Sequence, residues 1–129
     1  LRKKYNVTED EMGALRRFGV EIEKNKSGGW TVWGTGVGSF CEPEQELYLG
    51  NSGTSTRLLM GIAATHPFTT FITGDKSLLG RPMERVIEPL TRMGATILTR
   101  GASHLPLAIT GTRDLIPINY SSLVNNHIL

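Results

Sequence analysis

Short apolar runs alternate with polar turns along this chain, and the spacing of the apolar positions changes from one run to the next. Thr8-Glu9-Asp10-Glu11 reads as a capping box, with a hydroxyl at the cap and a carboxylate three residues on. Met12, Leu15 and Phe18 follow at helical spacing, and Gly19 stops the helix. Val20 and Ile22, then Trp30 and Val32, alternate with polar residues on either side of Ser27-Gly28-Gly29, which is a hairpin pattern. Residues 35–46, with Pro43, Gly36 and Gly38, read as a loop leading into a strand at Leu47-Tyr48-Leu49. The pattern then predicts a helix from Gly53 to Thr65, a strand from Phe68 to Thr73 and a loop from Gly74 to Arg81. A helix over 82–93 follows, with Pro89 kinking it or making its start irregular. Strands are predicted at Ala95–Leu98, Leu105–Ile109 and Ile116–Tyr120.

An internal repeat underlies this order. Leu15-Arg16-Arg17-Phe18-Gly19-Val20-Glu21-Ile22 and Leu90-Thr91-Arg92-Met93-Gly94-Ala95-Thr96-Ile97 share Leu, Arg, Gly and Ile in register, with Phe answered by Met. A polar turn, a second strand, a Thr/Gly loop (Thr35-Gly36, then Thr110-Gly111) and a further short strand follow each time. The expected unit is helix, strand, hairpin strand, strand, in copies at about 8–49 and 82–120, with one helix and one strand between them.

Element lengths then place the loops. A helix of about 12 residues rises about 18 Å, and a strand of about 6 residues covers a similar distance. The helix from Gly53 leaves its turn and the strand to Thr73 returns, so Gly74–Arg81 should lie beside Gly50–Gly53. The same reckoning brings Ser121-Ser122 to that rim.

The rim carries the candidate chemistry. In Leu49-Gly50-Asn51-Ser52-Gly53-Thr54-Ser55-Thr56-Arg57 a strand runs through a polar turn directly into a helix. The first amides of a helix lack internal partners and carry partial positive charge. Gly50 and Gly53 leave the main chain accessible, Asn51, Ser52 and Thr54 are capping residue types, and Arg57 follows one turn later. Such a turn suits an anion; a plain turn with a helix cap is the competing reading. Gly80-Arg81-Pro82 supplies a second helix start, with Pro at the first helical position and Arg81 biased toward an extended backbone. A guanidinium there can bind a carboxylate or phosphate through two hydrogen bonds, or form an ion pair with Glu84 or Glu88. Asp75, Lys76 and the Glu42, Glu44, Glu46 group read as solvated, and no general acid or base is assigned.

Composition narrows the classes. The 129 residues suffice for one domain or part of one. A net charge of +2, with no basic stripe interleaved with aromatics, gives no case for nucleic acid, and Arg2-Lys3-Lys4 reads as a solvated end. Cys41, the only cysteine, excludes an internal disulfide and fits a reducing compartment. No run approaches the roughly 20 apolar residues of a membrane span. His66, His104 and His127 stand apart as loop residues, with no metal-ligand spacing. No metal site is expected from these spacings.

Taken together, Leu49-Gly50-Asn51-Ser52-Gly53-Thr54-Ser55-Thr56-Arg57-Leu58, Thr73-Gly74-Asp75-Lys76-Ser77-Leu78 and Gly80-Arg81-Pro82-Met83, with Pro89-Leu90 and Met93-Gly94-Ala95, resemble the 5-enolpyruvylshikimate-3-phosphate synthases. The resemblance runs from about Tyr5 to Ser122. It implies an α+β fold of repeated βαβαββ units, those of the enolpyruvyl transferase inside-out α/β barrel, here as one incomplete domain over 1–122 with a divergent tail at 123–129. It implies a cytoplasmic transferase moving the enolpyruvyl group of phosphoenolpyruvate to the 5-hydroxyl of shikimate 3-phosphate, on the route to chorismate and the aromatic amino acids. The resemblance implies neither a metal nor an organic cofactor. By motif position Gly53 would lie against phosphoenolpyruvate, Arg81 would bind its anionic groups, and Asn51, Thr54 and Arg57 would shape the same wall.

The departures from that pattern bear on activity. The Lys-Ser segment that touches both substrates in the family has no counterpart. After Tyr120-Ser121-Ser122 the chain reads Leu123-Val124-Asn125-Asn126-His127-Ile128-Leu129 in place of the usual Pro-Val-Ala-Ser-Ala-Gln. The expectation is a partial domain whose partner is the second domain of the same enzyme, inactive alone. The related UDP-N-acetylglucosamine enolpyruvyl transferases share a Gly-x-Arg-Pro loop, but they lack the Gly-Asn-Ser-Gly-Thr turn and use a reactive Cys in a mobile loop, a context Cys41 does not have. A non-catalytic anion-binding module is the alternative from another class.

Overall fold

The computed structural model describes residues 9–36 and 38–121. Thr8 of the capping box, Arg2-Lys3-Lys4, Ser122, His127 and the tail 123–129 lie outside the described residues. In chain order the elements are α1 (Glu9–Arg17), β1 (Glu21–Lys24), β2 (Trp30–Trp33), β3 (Leu47–Tyr48), α2 (Gly53–Ala64), β4 (Thr69–Thr73), α3 (Lys76–Leu79), α4 (Glu84–Met93), β5 (Thr96–Thr99) and β6 (Leu107–Thr110). This is a mixed helix and strand fold.

Strands β1 and β2 form a separate antiparallel hairpin, with Ile22 opposite Val32. The other four make one sheet in the order β3-β4-β6-β5. Only β3 and β4 run parallel, because α2 carries the chain back between them; the remaining pairs are antiparallel. The strand alternation decides which side is covered. Leu47, Thr70, Ile72, Leu107 and Ile109 are buried on the helix side, whereas Tyr48, Phe71 and Leu98 are exposed on the other. Met60, Ala63 and Ala64 of α2 and Phe18 of α1 complete the core. At one end of it His66 stacks between Phe40 and Phe68, with ring centroids 5.4 and 5.2 Å away. His66 is a loop residue, as expected, but it is only 3% exposed.

The two segments matched in the sequence end their helices in the same way. Gly19 and Gly94 both take positive φ, at 89° and 122°. The amide of the next residue reaches back five positions each time, Val20 to the Leu15 carbonyl and Ala95 to the Leu90 carbonyl. The glycine amides meanwhile bond Arg16 and Thr91. This is the Schellman arrangement, and only glycine enters it without steric cost.

Three expectations need correction. The segment Ile116–Tyr120 is not a strand: the Ile116 amide donates to Met93 O at 2.9 Å, Arg92 donates to Asn119 O, and Pro117 has no N–H for a ladder. Thus at Asn119 the segment still lies against the C-terminal end of α4, and no strand carries Ser121 back to the rim. Helix α4 starts at Glu84, with Met83 as its cap residue, so Pro82 precedes the helix instead of opening it. Pro89 sits inside α4, where it has no N–H to offer the Arg85 carbonyl. Finally, the loop from Gly74 to Arg81 contains the one-turn helix α3, capped by Asp75.

Candidate functional site

The turn before α2 is held open from both sides. Gly50 has φ of +55°, and a Cβ there would stand 2.7 Å from the Asp10 carboxylate, so α1 closes on the turn where glycine leaves room. Ser52 caps α2 by accepting from the Ser55 amide at 3.3 Å, and its own carbonyl takes the Thr56 amide and hydroxyl. The amides of Gly53 and Thr54 have no partner among the described residues. They form the positive end of a helix of 12 residues, at which Gly53 is buried and Thr54 is exposed.

The return strand brings Gly74–Arg81 to this turn. Leu49 N–H donates to Thr73 O, and Asp75 N–H donates to Gly50 O at 2.8 Å. Arg81 then crosses the gap: its Nη2 donates to Asn51 Oδ1 at 3.0 Å. A Cβ on Gly53 would stand 2.6 Å from Arg81 Nη1 and 3.7 Å from Arg57 Nη1. Gly53, Asn51, Arg57 and Arg81, drawn from two sequence stretches, therefore surround one point, with Thr54 exposed beside them. Neither guanidinium has an ion-pair partner among the described residues. The carboxylates that might have taken Arg81 are engaged elsewhere, Glu84 with Ser103 and Glu88 with Arg92. Thr54 and Arg57 also line a groove between α2 and α4, with Leu58 and Gly61 on the α2 side and Arg85, Val86, Pro89 and Leu90 on the α4 side.

Chemically, this arrangement can take a small multiply charged anion: two amides at a helix N-terminus and two cations converge, with no negative group among the described residues paired to them. Lys76 is exposed on α3, and Glu42, Glu44 and Glu46 are exposed on the loop before β3, outside this arrangement. Among the described residues no group of three His, Cys, Asp or Glu side chains could hold a metal ion. Sequence reasoning missed Asp75, which is a cap and not a solvated loop residue; an Asp directly ahead of Lys76-Ser77-Leu78-Leu79 was the available signal. It also missed Asp10, which only tertiary packing brings to Gly50.

With the geometry in place, comparison with known proteins identifies the lineage. The family model for EPSP synthase (3-phosphoshikimate 1-carboxyvinyltransferase) matches residues 7–125. The chain belongs to the EPSP synthase family. It is 55% identical over 106 residues to the 3-phosphoshikimate 1-carboxyvinyltransferase of Paramagnetospirillum magneticum, covering 82% of this chain and 24% of that protein. Identity to the enzyme of the same description from Sphingopyxis alaskensis is 50% over 111 residues, covering 83% of this chain and 25% of the other. The solved structure of EPSP synthase from Acinetobacter baumannii superposes with a TM-score of 0.79 at 45% identity, over 84% of this chain and 25% of that one. The chain thus spans about a quarter of the length of the curated relatives it matches. The EPSP synthase match displaces the UDP-N-acetylglucosamine enolpyruvyl transferase reading. No helix among the described residues is long and apolar enough to cross a membrane.

Proposed function

We propose that this chain supplies the phosphoenolpyruvate wall of a 3-phosphoshikimate 1-carboxyvinyltransferase. In that reaction the enolpyruvyl group passes from phosphoenolpyruvate to the 5-hydroxyl of shikimate 3-phosphate and phosphate leaves, without metal or organic cofactor. The observation that carries the reading is the meeting of Arg81 with Asn51 and the bare amide end of α2 at Gly53. Arg81 would fork onto the carboxylate or phosphate of phosphoenolpyruvate, and Gly53 and Thr54 amides would donate to the same anion. Arg57 would add a second positive charge, and Asn51 would hold Arg81 in place between turnovers. Oriented donors of this kind stabilise charge as it develops on the transferring group.

Residues 1–122 then form part of one domain of repeated βαβαββ units in an inside-out α/β barrel, with 123–129 a divergent tail. The second wall comes from the other domain of the enzyme, a partner that is protein and not nucleic acid, in the cytoplasm. Alone, the chain binds phosphoenolpyruvate weakly and turns nothing over. The test is direct: titrate phosphoenolpyruvate into the 15N-labelled chain and assay phosphate release with both substrates. Shifts at the Gly53 and Thr54 amides that vanish in Arg81→Ala support the reading. Robust turnover by the chain alone, or no shift at those amides in the millimolar range, overturns it.

A further inference from the structure

Arg81 lies on a connection, and side chains on such segments are well placed only when something holds the backbone. Here the hold is a closed circuit of hydrogen bonds. Asp75 N–H donates to Gly50 O at 2.8 Å, which fixes the start of the connection to the glycine turn. Asp75 Oδ1 accepts from the Leu78 amide at 2.8 Å and so winds the next residues into α3. Leu78 O accepts from the Arg81 amide at 3.1 Å. Arg81 Nη2 returns to Asn51, the neighbour of Gly50. The circuit contains one side-chain carboxylate, and that carboxylate sets the direction of the one turn separating Gly74 from Arg81. Packing supports it from beneath: Leu78 is fully buried, and a Cβ on Gly74 would run into Leu78 Cδ2 and stand 2.8 Å from Gly50 O.

We infer that Asp75 is a positioning residue for Arg81, acting as a hydrogen-bond acceptor at the start of α3 and not as a charge presented to substrate. Asp75 is half-buried and its Oδ1 is committed to the Leu78 amide. Without that acceptor the single turn of α3 has no side-chain cap. Too short to persist by itself, it would release the Arg81 amide and swing the guanidinium off Asn51. The inference rests on the phosphoenolpyruvate reading for its functional consequence but not for its structural one.

The experiment compares Asp75→Ala, Asp75→Gly and Asp75→Asn in the 15N-labelled chain, reading the Arg81 Nε–Hε signal and phosphoenolpyruvate affinity by titration. Asn keeps the Oδ1 acceptor and loses the charge; Gly is tolerated at helix caps nearly as well as the native types and covers the case in which Ala fails to fold. In Asp75→Ala the Arg81 signal should take on the dynamics of a solvent-exposed arginine, and affinity should fall about fivefold, the value of one lost cap; in Asp75→Gly the same changes should be smaller, with affinity down about twofold. Asp75→Asn should restore both to within about twofold of the unsubstituted chain. An Arg81 signal unchanged in Asp75→Ala and Asp75→Gly overturns the inference, as does an Asp75→Asn chain that behaves like Asp75→Ala. If Arg81 loosens as expected but phosphoenolpyruvate moves no amide even in the unsubstituted chain, the positioning role stands and the substrate reading fails.

Discussion

The two ends of α2 lie about 18 Å apart, by the rise of its 12 residues, and they are treated in opposite ways. At the C-terminal end the last three carbonyls, of Ile62, Ala63 and Ala64, are all used. Thr65 and His66 bond back to Ile62 and Ala63, and the Thr112 amide takes the Ala64 carbonyl. Gly111 packs so closely that a Cβ would collide with the backbone oxygens of Ala63 and His66. At the N-terminal end the Gly53 and Thr54 amides have no partner among the described residues, and the atom nearest the missing Cβ of Gly53 is the tip of a flexible arginine. One helix thus has a closed end that is bonded into the fold and an end whose first amides have no partner among the described residues, the end proposed above to take the ligand. Helix-end amides without a protein partner are satisfied by water or by a ligand.

Substitutions at the two ends should separate along that line. The largest effect is expected for Gly111→Ala, because carbonyl oxygens of a packed helix end cannot move aside. We expect a stability loss of about 3 kcal/mol, read by urea denaturation. A loss below about 0.5 kcal/mol would mean that the closed end is not rigid. Next is Arg81→Ala, which leaves the fold intact, since the side chain's only described bond is to exposed Asn51. Removing a charge-assisted contact of about 2 kcal/mol should weaken phosphoenolpyruvate binding about thirtyfold in a titration. An unchanged affinity would remove the ligand from the N-terminal end.

Gly53→Ala sharpens the contrast most directly, for it adds the same methyl group as Gly111→Ala. Here the obstructing atom is Arg81 Nη1 at 2.6 Å, free to swing away. Melting temperature should hold while phosphoenolpyruvate affinity drops about tenfold, equivalent to about 1.4 kcal/mol. Equal destabilisation by the two alanines would erase the distinction between the ends. The smallest effect belongs to Ser52→Ala, whose lost cap bond is long at 3.3 Å. About 0.5 kcal/mol of stability should go, the low end for a cap, as seen in the midpoint of the same urea curves.

Much of α2 and its turn was legible before any coordinates. Caps, glycine positions and a helical apolar stripe act within a few residues of one another, so Gly50 to Arg57 carry their own instructions. The same holds for the paired helix stops at Gly19 and Gly94, which depend on one left-handed residue and its neighbours. The length argument also placed Gly74–Arg81 beside Gly50–Gly53, because a helix and a returning strand of similar reach must end near where they began. It failed at Ile116–Tyr120, whose alternating apolar residues suggest a strand while Pro117 and the bonds to Met93 and Arg92 hold the segment at the end of α4.

What local pattern alone determined, then, was most of the helices and strands, the glycine stops at Gly19 and Gly94, and the turn that leads from β3 into α2. Tertiary structure decided the sheet order β3-β4-β6-β5, the separation of the β1–β2 hairpin, the closing of Asp10 over Gly50 and the reach of Arg81 across Gly53. The physical reason is range. Caps and turns are settled by dihedral preferences and hydrogen bonds a few residues apart, whereas a guanidinium 28 positions from the amide it faces arrives there only after the intervening helix and strand have packed.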